Sequence, residues 1–180
     1  MNLLEVKDAA LSIMKPAKAE VLKWYRGKFS VDLKKDLSPV TIADRKAEEI
    51  LRKKLSKYFP EHGIIGEEFG NHNPNAEWVW TIDPIDGTRS FIRGLPFYAI
   101  LIALLHKKKP MLGVVSFPAL GETVWAAKGY GAWSGERKLS VSVESQLPKA
   151  LVATADYYCF REKKFLTFYR DLQKRSAMIR

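Results

Sequence analysis

Residues 78–88 read Trp78-Val79-Trp80-Thr81-Ile82-Asp83-Pro84-Ile85-Asp86-Gly87-Thr88, and they join an apolar run to a pair of carboxylates. The apolar run predicts a buried strand that ends at Asp83. Pro84 fixes φ and has no N–H to donate, so it favours a sharp turn that brings Asp86 back toward Asp83. The stretch therefore predicts acidic side chains gathered at the carboxyl end of a strand.

The residues that follow predict a phosphate-sized turn. Gly87 has no Cβ and lets a ligand approach the backbone closely. Residues 88–93 predict a short helix, ended by Gly94-Leu95-Pro96, whose first N–H groups point at an anion. Carboxylates, a hydroxyl and the carbonyl of Ile85 are hard oxygen donors. Because no His or Cys stands near the motif, these donors favour Mg²⁺ or Mn²⁺ over zinc.

Upstream, Gly66-Glu67-Glu68 adds two more carboxylates. Glu67 is a candidate ligand of a first ion, and Asp83 is placed to bridge a pair of ions about 3.5–4 Å apart. Glu68 is either a base outside the ligand shell or simply an exposed residue. Each piece alone has an ordinary explanation, since Asp-Pro is common in turns and Gly-Thr opens many helices. The ordered combination favours a catalytic site.

The ordered motifs resemble the inositol monophosphatase superfamily, whose members are Mg²⁺-dependent sugar and polyol phosphatases. The superfamily's two signatures are Gly-Glu-Glu and Asp-Pro-Ile-Asp-Gly-Thr followed by Phe, and residues 66–68 and 83–91 match them. Residues 38–44 resemble its Val-Thr-x-x-Asp segment, although Thr41 and Asp44 alone would suit a helix N-cap. The flanking residues, such as Phe69 and Arg89, are most similar to the histidinol-phosphate phosphatase branch. Fructose bisphosphatase and nucleotide bisphosphate phosphatase branches are less similar alternatives.

The resemblance implies hydrolysis of a small phosphate monoester by a metal-bound water that attacks phosphorus directly. It implies a homodimer and a Mg²⁺ cofactor, with Mn²⁺ as an alternative. It assigns metal binding to Glu67, Asp83, the Ile85 carbonyl and Asp86. It assigns catalysis to Asp44, Glu67 and Thr88, with Asp44 and Thr88 acting on the water. It assigns contacts with the substrate to Glu67, Ile85, Asp86, Gly87 and Thr88.

Hydrophobic periodicity predicts an α+β fold. Residues 3–25 and 42–58 carry apolar side chains at helical spacing, with Pro16 expected to kink or split the first helix. From Trp78 onward, short apolar runs separated by turns predict an antiparallel meander with strands at 97–105, 111–117 and 123–127 and a hairpin at 134–136. We therefore expect two amphipathic helices packed on an antiparallel sheet over residues 1–148. We expect residues 149–180 to open the βαβ unit of an incomplete α/β second layer, with its helix at 160–173.

The resemblance covers about the first two thirds of a family member. The family's later Trp-Asp-x-Ala segment, whose Asp ligates a second metal, has no counterpart among the five tryptophans. A truncated product, a complementing second polypeptide and an inactive regulatory subunit stay open as interpretations. An incomplete layer leaves apolar faces uncovered, so we expect self-association through a set of residues in the second layer. The set is Leu151, Val152, Phe165, Leu172, Met178 and Ile179.

Charge and composition bound the partners and the compartment. A formal net charge of +10 raises nucleic-acid binding as a competing hypothesis, but the basic runs carry no nucleic-acid motif. A basic surface that attracts anionic substrates needs fewer assumptions. Residues 1–8 contain charged side chains where a signal peptide needs an apolar segment, so no signal peptide is expected. The apolar run at 97–105 is too short to cross a membrane. Cys159 is the only cysteine and is expected to pack as a small hydrophobic side chain. Because one cysteine cannot form a disulfide within the chain, we expect a cytoplasmic protein. We expect neither a membrane nor a nucleic-acid partner.

Overall fold

The computed structural model of the 180-residue chain describes residues 1–154, 160–161, 165–176 and 178–179. The chain divides into two compact units, Met1–Leu139 and Ser140–Arg180. The helices are α1 (Leu3–Trp24), α2 (Ile42–Tyr58), α3 (Thr88–Phe91) and α4 (Leu166–Arg175). The strands are β1 (Val31–Leu33), β2 (Pro39–Thr41), β3 (Gly63–Gly66), β4 (Trp78–Asp86), β5 (Ala99–His106), β6 (Lys109–Phe117), β7 (Glu122–Ala127), β8 (Gly131–Ser134), β9 (Arg137–Leu139), β10 (Leu151–Val152) and β11 (Met178–Ile179).

A seven-stranded sheet in the order β3-β4-β5-β6-β7-β8-β9 forms the frame of the first unit. From β4 to β9 each strand pairs antiparallel with the next, as the meander predicted. Strand β3 pairs parallel with β4, which corrects the expectation of a purely antiparallel sheet. Strand β3 is only four residues long, so its hydrophobic pattern is too short to predict a strand. The predicted α+β fold is confirmed.

Helices α1 and α2 pack with one face of this sheet in a single hydrophobic core. Alternate residues of the central strands point into that core, including Trp80, Ile102 and Val114, because side chains along a strand alternate between its two faces. Pro16 lies within the continuous helix α1, so of the two expected outcomes, a kink or a split, the split is wrong. Met14 and Ala17, on either side of Pro16, are buried in the same core, and this packing holds the helix together despite the lost hydrogen bond.

Leu51→Ala is expected to lower the free energy of unfolding by about 2–5 kcal/mol, because the truncation leaves a cavity at a fully buried position on α2. Leu37→Ala is the matched control, since Leu37 is 70% exposed. Urea denaturation of both variants measures the difference. Equal midpoints for the two variants would contradict the assignment of Leu51 to the core.

The strand that carries the acidic motif runs further than the sequence predicts. Strand β4 continues to Asp86 instead of ending at Asp83, and its pairing with β5 shifts register between these two residues. Pro84 lacks an N–H for the ladder, so the irregularity stands where proline is tolerated in a sheet. Helix α3 is shorter than expected and ends at Phe91. Strand β5 begins at Ala99, after the expected start at residue 97.

The second unit has strand β10 parallel to β11, with α4 between them in sequence. The predicted helix at 160–173 differs, because α4 begins at Leu166 and residues 162–164 lie outside the described residues, as does Cys159. Leu151 and Phe165 are exposed. The domain boundary after residue 148 and the predicted self-association stay predictions. Within the described part of the chain, none of the helices combines the length and the apolar character that crossing a membrane requires.

Candidate active site

The predicted site residues lie on three segments of the first unit: the start of α2, the end of β3, and the irregular end of β4 with the start of α3. Thr41 caps α2, since its hydroxyl accepts a hydrogen bond from the Ala43 N–H at 3.1 Å. The Thr41 N–H donates to Asp44 Oδ2 at 2.8 Å, which completes a capping box. The N-cap interpretation of Thr41 and Asp44 is therefore confirmed as a local structure, and it leaves Asp44 Oδ1 for other partners.

Asp44 and Thr88 meet across the fold. The Thr88 hydroxyl lies 3.3 Å from Asp44 Oδ1 and 2.9 Å from the carbonyl oxygen of Ile85. A hydroxyl has one hydrogen, so it donates to one of these acceptors at a time, and the shorter distance favours Ile85. Asp44 is buried, and burial raises the pKa of its carboxyl above the ordinary value. The structure therefore brings the Asp44 carboxyl group and the Thr88 hydroxyl together, as the sequence predicts.

Asp83 is a carboxylate whose surroundings disfavour its charge. Its Oδ1 atom is buried and has no hydrogen-bond partner among the described residues. Burial is the first cause that raises the pKa of Asp83 to about 7, followed by the charge of Glu67, with Asp86 adding to it. A buried oxygen without a donor, beside two further acids, is a place that favours a cation.

A lysine supplies positive charge beside these acids. Lys34 Nζ lies 2.6 Å from Glu67 Oε1 and 2.6 Å from Glu68 Oε1. Burial alone would lower the pKa of Lys34, but hydrogen bonds to the two glutamates outweigh burial and raise it. The Glu68 side chain is only 6% exposed, so the interpretation of Glu68 as a simply exposed residue is wrong. Burial also raises the pKa of Glu68.

The described residues contain no group of three His, Cys, Asp or Glu side chains that could hold a metal ion as they stand. Glu67 interacts with both Lys34 and Asp83, whereas Asp86 is on the exposed side of the strand end. A divalent ion at Glu67 must therefore compete with the Lys34 ammonium for this carboxylate.

Gly87 forms the turn between β4 and α3. Its φ of 88° lies in the left-handed region that favours glycine. A Cβ at this position would stand 2.8 Å from the carbonyl oxygen of Phe97, so the close approach of the segment that leads into β5 also excludes a side chain. The turn leaves the start of α3 beside Asp86 and Ile85, where the sequence predicts phosphate binding.

Sequence reasoning missed three charged residues of this region: Lys34, Glu48 and Arg52. Glu48 is fully buried on α2, four residues after Asp44, and Arg52 follows after four more. This i, i+4, i+8 spacing places charges along one side of a helix whose neighbouring positions Ala47 and Leu51 are buried. Such a pattern is a usable signal, because a charge on a buried helix face requires partners.

Comparison with known proteins identifies the family of the chain. The model of the inositol monophosphatase family matches residues 2–174. The chain belongs to the inositol monophosphatase family. A histidinol-phosphatase of Chlorobaculum parvum is 41% identical over 158 residues, which are 87% of this chain and 59% of that protein. A histidinol-phosphatase of Mycobacterium tuberculosis is 47% identical over 125 residues, which are 67% of this chain and 48% of that protein.

The fold is shared with solved structures. The extragenic suppressor protein suhB of Bartonella henselae superposes with a TM-score of 0.91 at 30% identity, over 98% of this chain and 69% of that chain. The family membership predicted from the two signatures is therefore confirmed. The chain spans about half to two thirds of the length of these relatives.

Proposed function

We propose that the protein is a Mg²⁺-dependent phosphomonoesterase that hydrolyses histidinol phosphate with a metal-activated water. The observation that carries the proposal is the buried, unpartnered Oδ1 of Asp83 beside Glu67 and Asp86. Holding these acids together without a cation is repulsive, and oxygen donors of this kind suit Mg²⁺ or Mn²⁺. In this proposal Glu67, Asp83, the Ile85 carbonyl and Asp86 hold the metal, which supplies a nucleophilic water.

Thr88 and Asp44 are proposed to hold that water. When the Thr88 hydroxyl donates to Asp44, its oxygen keeps lone pairs free to accept a hydrogen bond from the water. The buried Asp44 carboxylate, with its pKa raised, then receives the proton. The N–H groups of Gly87 and Thr88 are proposed to bind the phosphate oxygens, where they stabilise charge on phosphorus.

The choice of substrate rests on similarity. Histidinol-phosphatases are 41% and 47% identical to this chain, which supports histidinol phosphate as the substrate. The shared catalytic residues do not discriminate between branches, so an inositol-1-monophosphatase or related sugar phosphatase is the alternative. An inactive regulatory subunit is the alternative of another class. A net charge of +10 supports capture of an anionic small molecule. A homodimer and a cytoplasmic location complete the proposal.

Phosphate release tests the proposal. The 180-residue chain is assayed with Mg²⁺ on histidinol phosphate, inositol 1-phosphate and fructose 1,6-bisphosphate, with EDTA as the control. The expected result is EDTA-sensitive release that is fastest from histidinol phosphate. Faster release from inositol phosphate would support the alternative substrate. Absence of release from all three, in a folded chain that still binds Mn²⁺, would support the inactive subunit.

The affinity for a metal is expected to decrease as the pH is lowered. Since protons compete with the metal for Asp83, whose pKa is raised to about 7, the apparent affinity for Mn²⁺ should be about tenfold weaker at pH 6 than at pH 8. Titration followed by the electron paramagnetic resonance of free Mn²⁺ measures this affinity.

The stability of the metal-free protein should change in the opposite direction and decrease as the pH rises. A group whose folded pKa is raised above its ordinary value of 3.8 destabilises the fold as pH rises from about 4 to about 7.

The raised pKa values of Asp44 and Glu68 act in the same direction on the metal-free protein. Thermal melting in EDTA at pH 5 and pH 8 measures this trend. A metal-free protein that is more stable at pH 8, or an affinity for Mn²⁺ that does not change between pH 6 and pH 8, would contradict the assignment of a raised pKa to Asp83.

A further inference from the structure

Glu48 is a buried charge that the proposed reaction does not use. Its side chain is fully buried on α2, and a buried carboxylate is costly unless hydrogen-bond donors surround it. Its Oε2 accepts from the N–H of Glu67 at 3.0 Å and from the N–H of Glu68 at 2.7 Å. Its Oε1 accepts from the N–H of Phe69 at 3.2 Å and from Arg52 Nε at 2.7 Å. Each oxygen therefore has two donors.

Three successive backbone N–H groups that converge on one carboxylate form an anion-binding turn whose anion is part of the protein. Hydrogen bonds to an ionised acceptor are stronger than neutral ones, so the turn at 67–69 is held firmly. Arg52 closes the arrangement, because its guanidinium also donates to the carbonyl of Phe69 at 2.7 Å. The same turn carries the Glu67 carboxylate at its start.

Gly66 fits the same arrangement. A Cβ at position 66 would stand 2.0 Å from Glu48 Oε1 and 2.6 Å from Arg52 Nη2. Glu48 is fully buried, and both side chains are hydrogen-bonded to the turn, so a side chain at position 66 would break these hydrogen bonds. The glycine of the Gly-Glu-Glu segment is thus explained by the buried carboxylate beneath it.

We propose that Glu48, held in place by its ion pair with Arg52, is a positioning residue. It fixes the turn at 67–69 so that the Glu67 carboxylate lies beside Asp83. The catalytic consequence rests on the proposed function, whereas the fixing of the turn does not. Loss of the Glu48 charge leaves the three N–H groups without their anion, and the turn then samples other conformations. The Glu67 carboxylate is consequently placed less accurately for a metal.

The test compares Glu48→Gln with Glu49→Gln. Both variants remove one negative charge from α2, but Glu49 is exposed and pairs with Lys46 at the surface. In the metal-free 180-residue chain, amide hydrogen exchange at residues 67–69 should rise at least about tenfold in Glu48→Gln alone. The affinity for Mn²⁺ should fall about 10–100-fold in the same variant, which is the usual effect of removing a group that orients a metal ligand.

Unchanged exchange at residues 67–69 in Glu48→Gln overturns the proposal. Faster exchange with an unchanged Mn²⁺ affinity overturns the positioning role, because the turn is then loosened without consequence for the ligand. A wild-type chain that binds no Mn²⁺ contradicts the proposed function, and the exchange arm alone then decides whether Glu48 fixes the turn.

A second variant covers the case in which Glu48→Gln does not fold. Arg52→Lys keeps the positive charge but loses the planar guanidinium group, whose two nitrogens donate to Glu48 and to the Phe69 carbonyl. It should raise exchange at Phe69 and weaken Mn²⁺ binding in the same direction. Amide exchange at Phe69 and an affinity for Mn²⁺ that both match the wild-type protein in Arg52→Lys would overturn the role of Arg52 in holding Glu48 and the turn.

Discussion

Asp83→Asn is expected to weaken binding of Mn²⁺ at least about 100-fold, since even groups that only orient metal ligands typically contribute 10–100-fold. The amide keeps the shape of the side chain but removes the charge that the buried Oδ1 brings to the site. The same variant should make the metal-free protein more stable at pH 8, because the amide no longer repels Glu67 and Asp86. Isothermal titration and thermal melting in EDTA measure the two effects.

Asp32→Asn is the matched control, since it removes the same charge from an exposed aspartate that pairs with Arg45. It should leave the Mn²⁺ affinity unchanged. The opposite signs of the two expected effects make Asp83→Asn informative, because a variant that merely unfolds loses stability and affinity together. Unaltered affinity in Asp83→Asn would remove this residue from the proposed metal site.

Thr88→Ala is expected to lower kcat about 10²–10⁴-fold, the usual contribution of general-base assistance, while KM changes little. The variant removes the hydroxyl that reaches Asp44 Oδ1 and the Ile85 carbonyl, so Asp44 Oδ1 loses its contact with Thr88. Stability should change little, since Thr88 lies at the start of a four-residue helix whose N-cap, Gly87, has no side chain. Initial rates with the best of the three substrates measure the loss.

Ser90→Ala is the control for Thr88→Ala, because it removes a hydroxyl from the same short helix two residues further on. Its kcat should match that of the wild-type protein. Where the 180-residue chain proves inactive, the same pair is measured in a longer chain that retains the site. A fully active Thr88→Ala variant would return Thr88 to an ordinary role at the start of α3.

The family and the α+β fold were both predictable from the sequence, because long periodic segments and contiguous motifs are local signals. Helix α2 shows this best: Thr41 caps it, Asp44 completes its capping box, and its bounds are those expected from residues 42–58. The same residues also contact the site through Asp44 and Thr88. The start of α2 thus has a structural role and a proposed catalytic role. The N-cap interpretation and the catalytic interpretation of this segment are therefore compatible.

The remaining features depend on contacts between distant residues. Strand β3 is identified by its pairing with β4, which no four-residue pattern reveals. The pattern of α2 marks Glu48 as a charge that needs partners, but only the folded chain identifies those partners as the N–H groups of residues 67–69. Lys34 lies 33 positions from Glu67 in a loop without regular periodicity. The extension of β4 to Asp86 follows from pairing with β5, which overrides the local turn preference of Pro84. The functional roles of the site residues stay predictions.

The contact between Thr88 and Asp44 also has a consequence for how the chain reaches its native state. It joins residues 44 positions apart, and Glu67 lies between them on a third segment. Contacts of such separation close long loops and form slowly compared with helical turns. During synthesis α1 and α2 emerge before β4 and α3, and the acidic residues of the site come together only after β4 and α3 have left the ribosome and packed into the first unit. A cation bound at the proposed metal site would therefore meet a chain that has already folded, and it would stabilise that fold without directing how the fold forms.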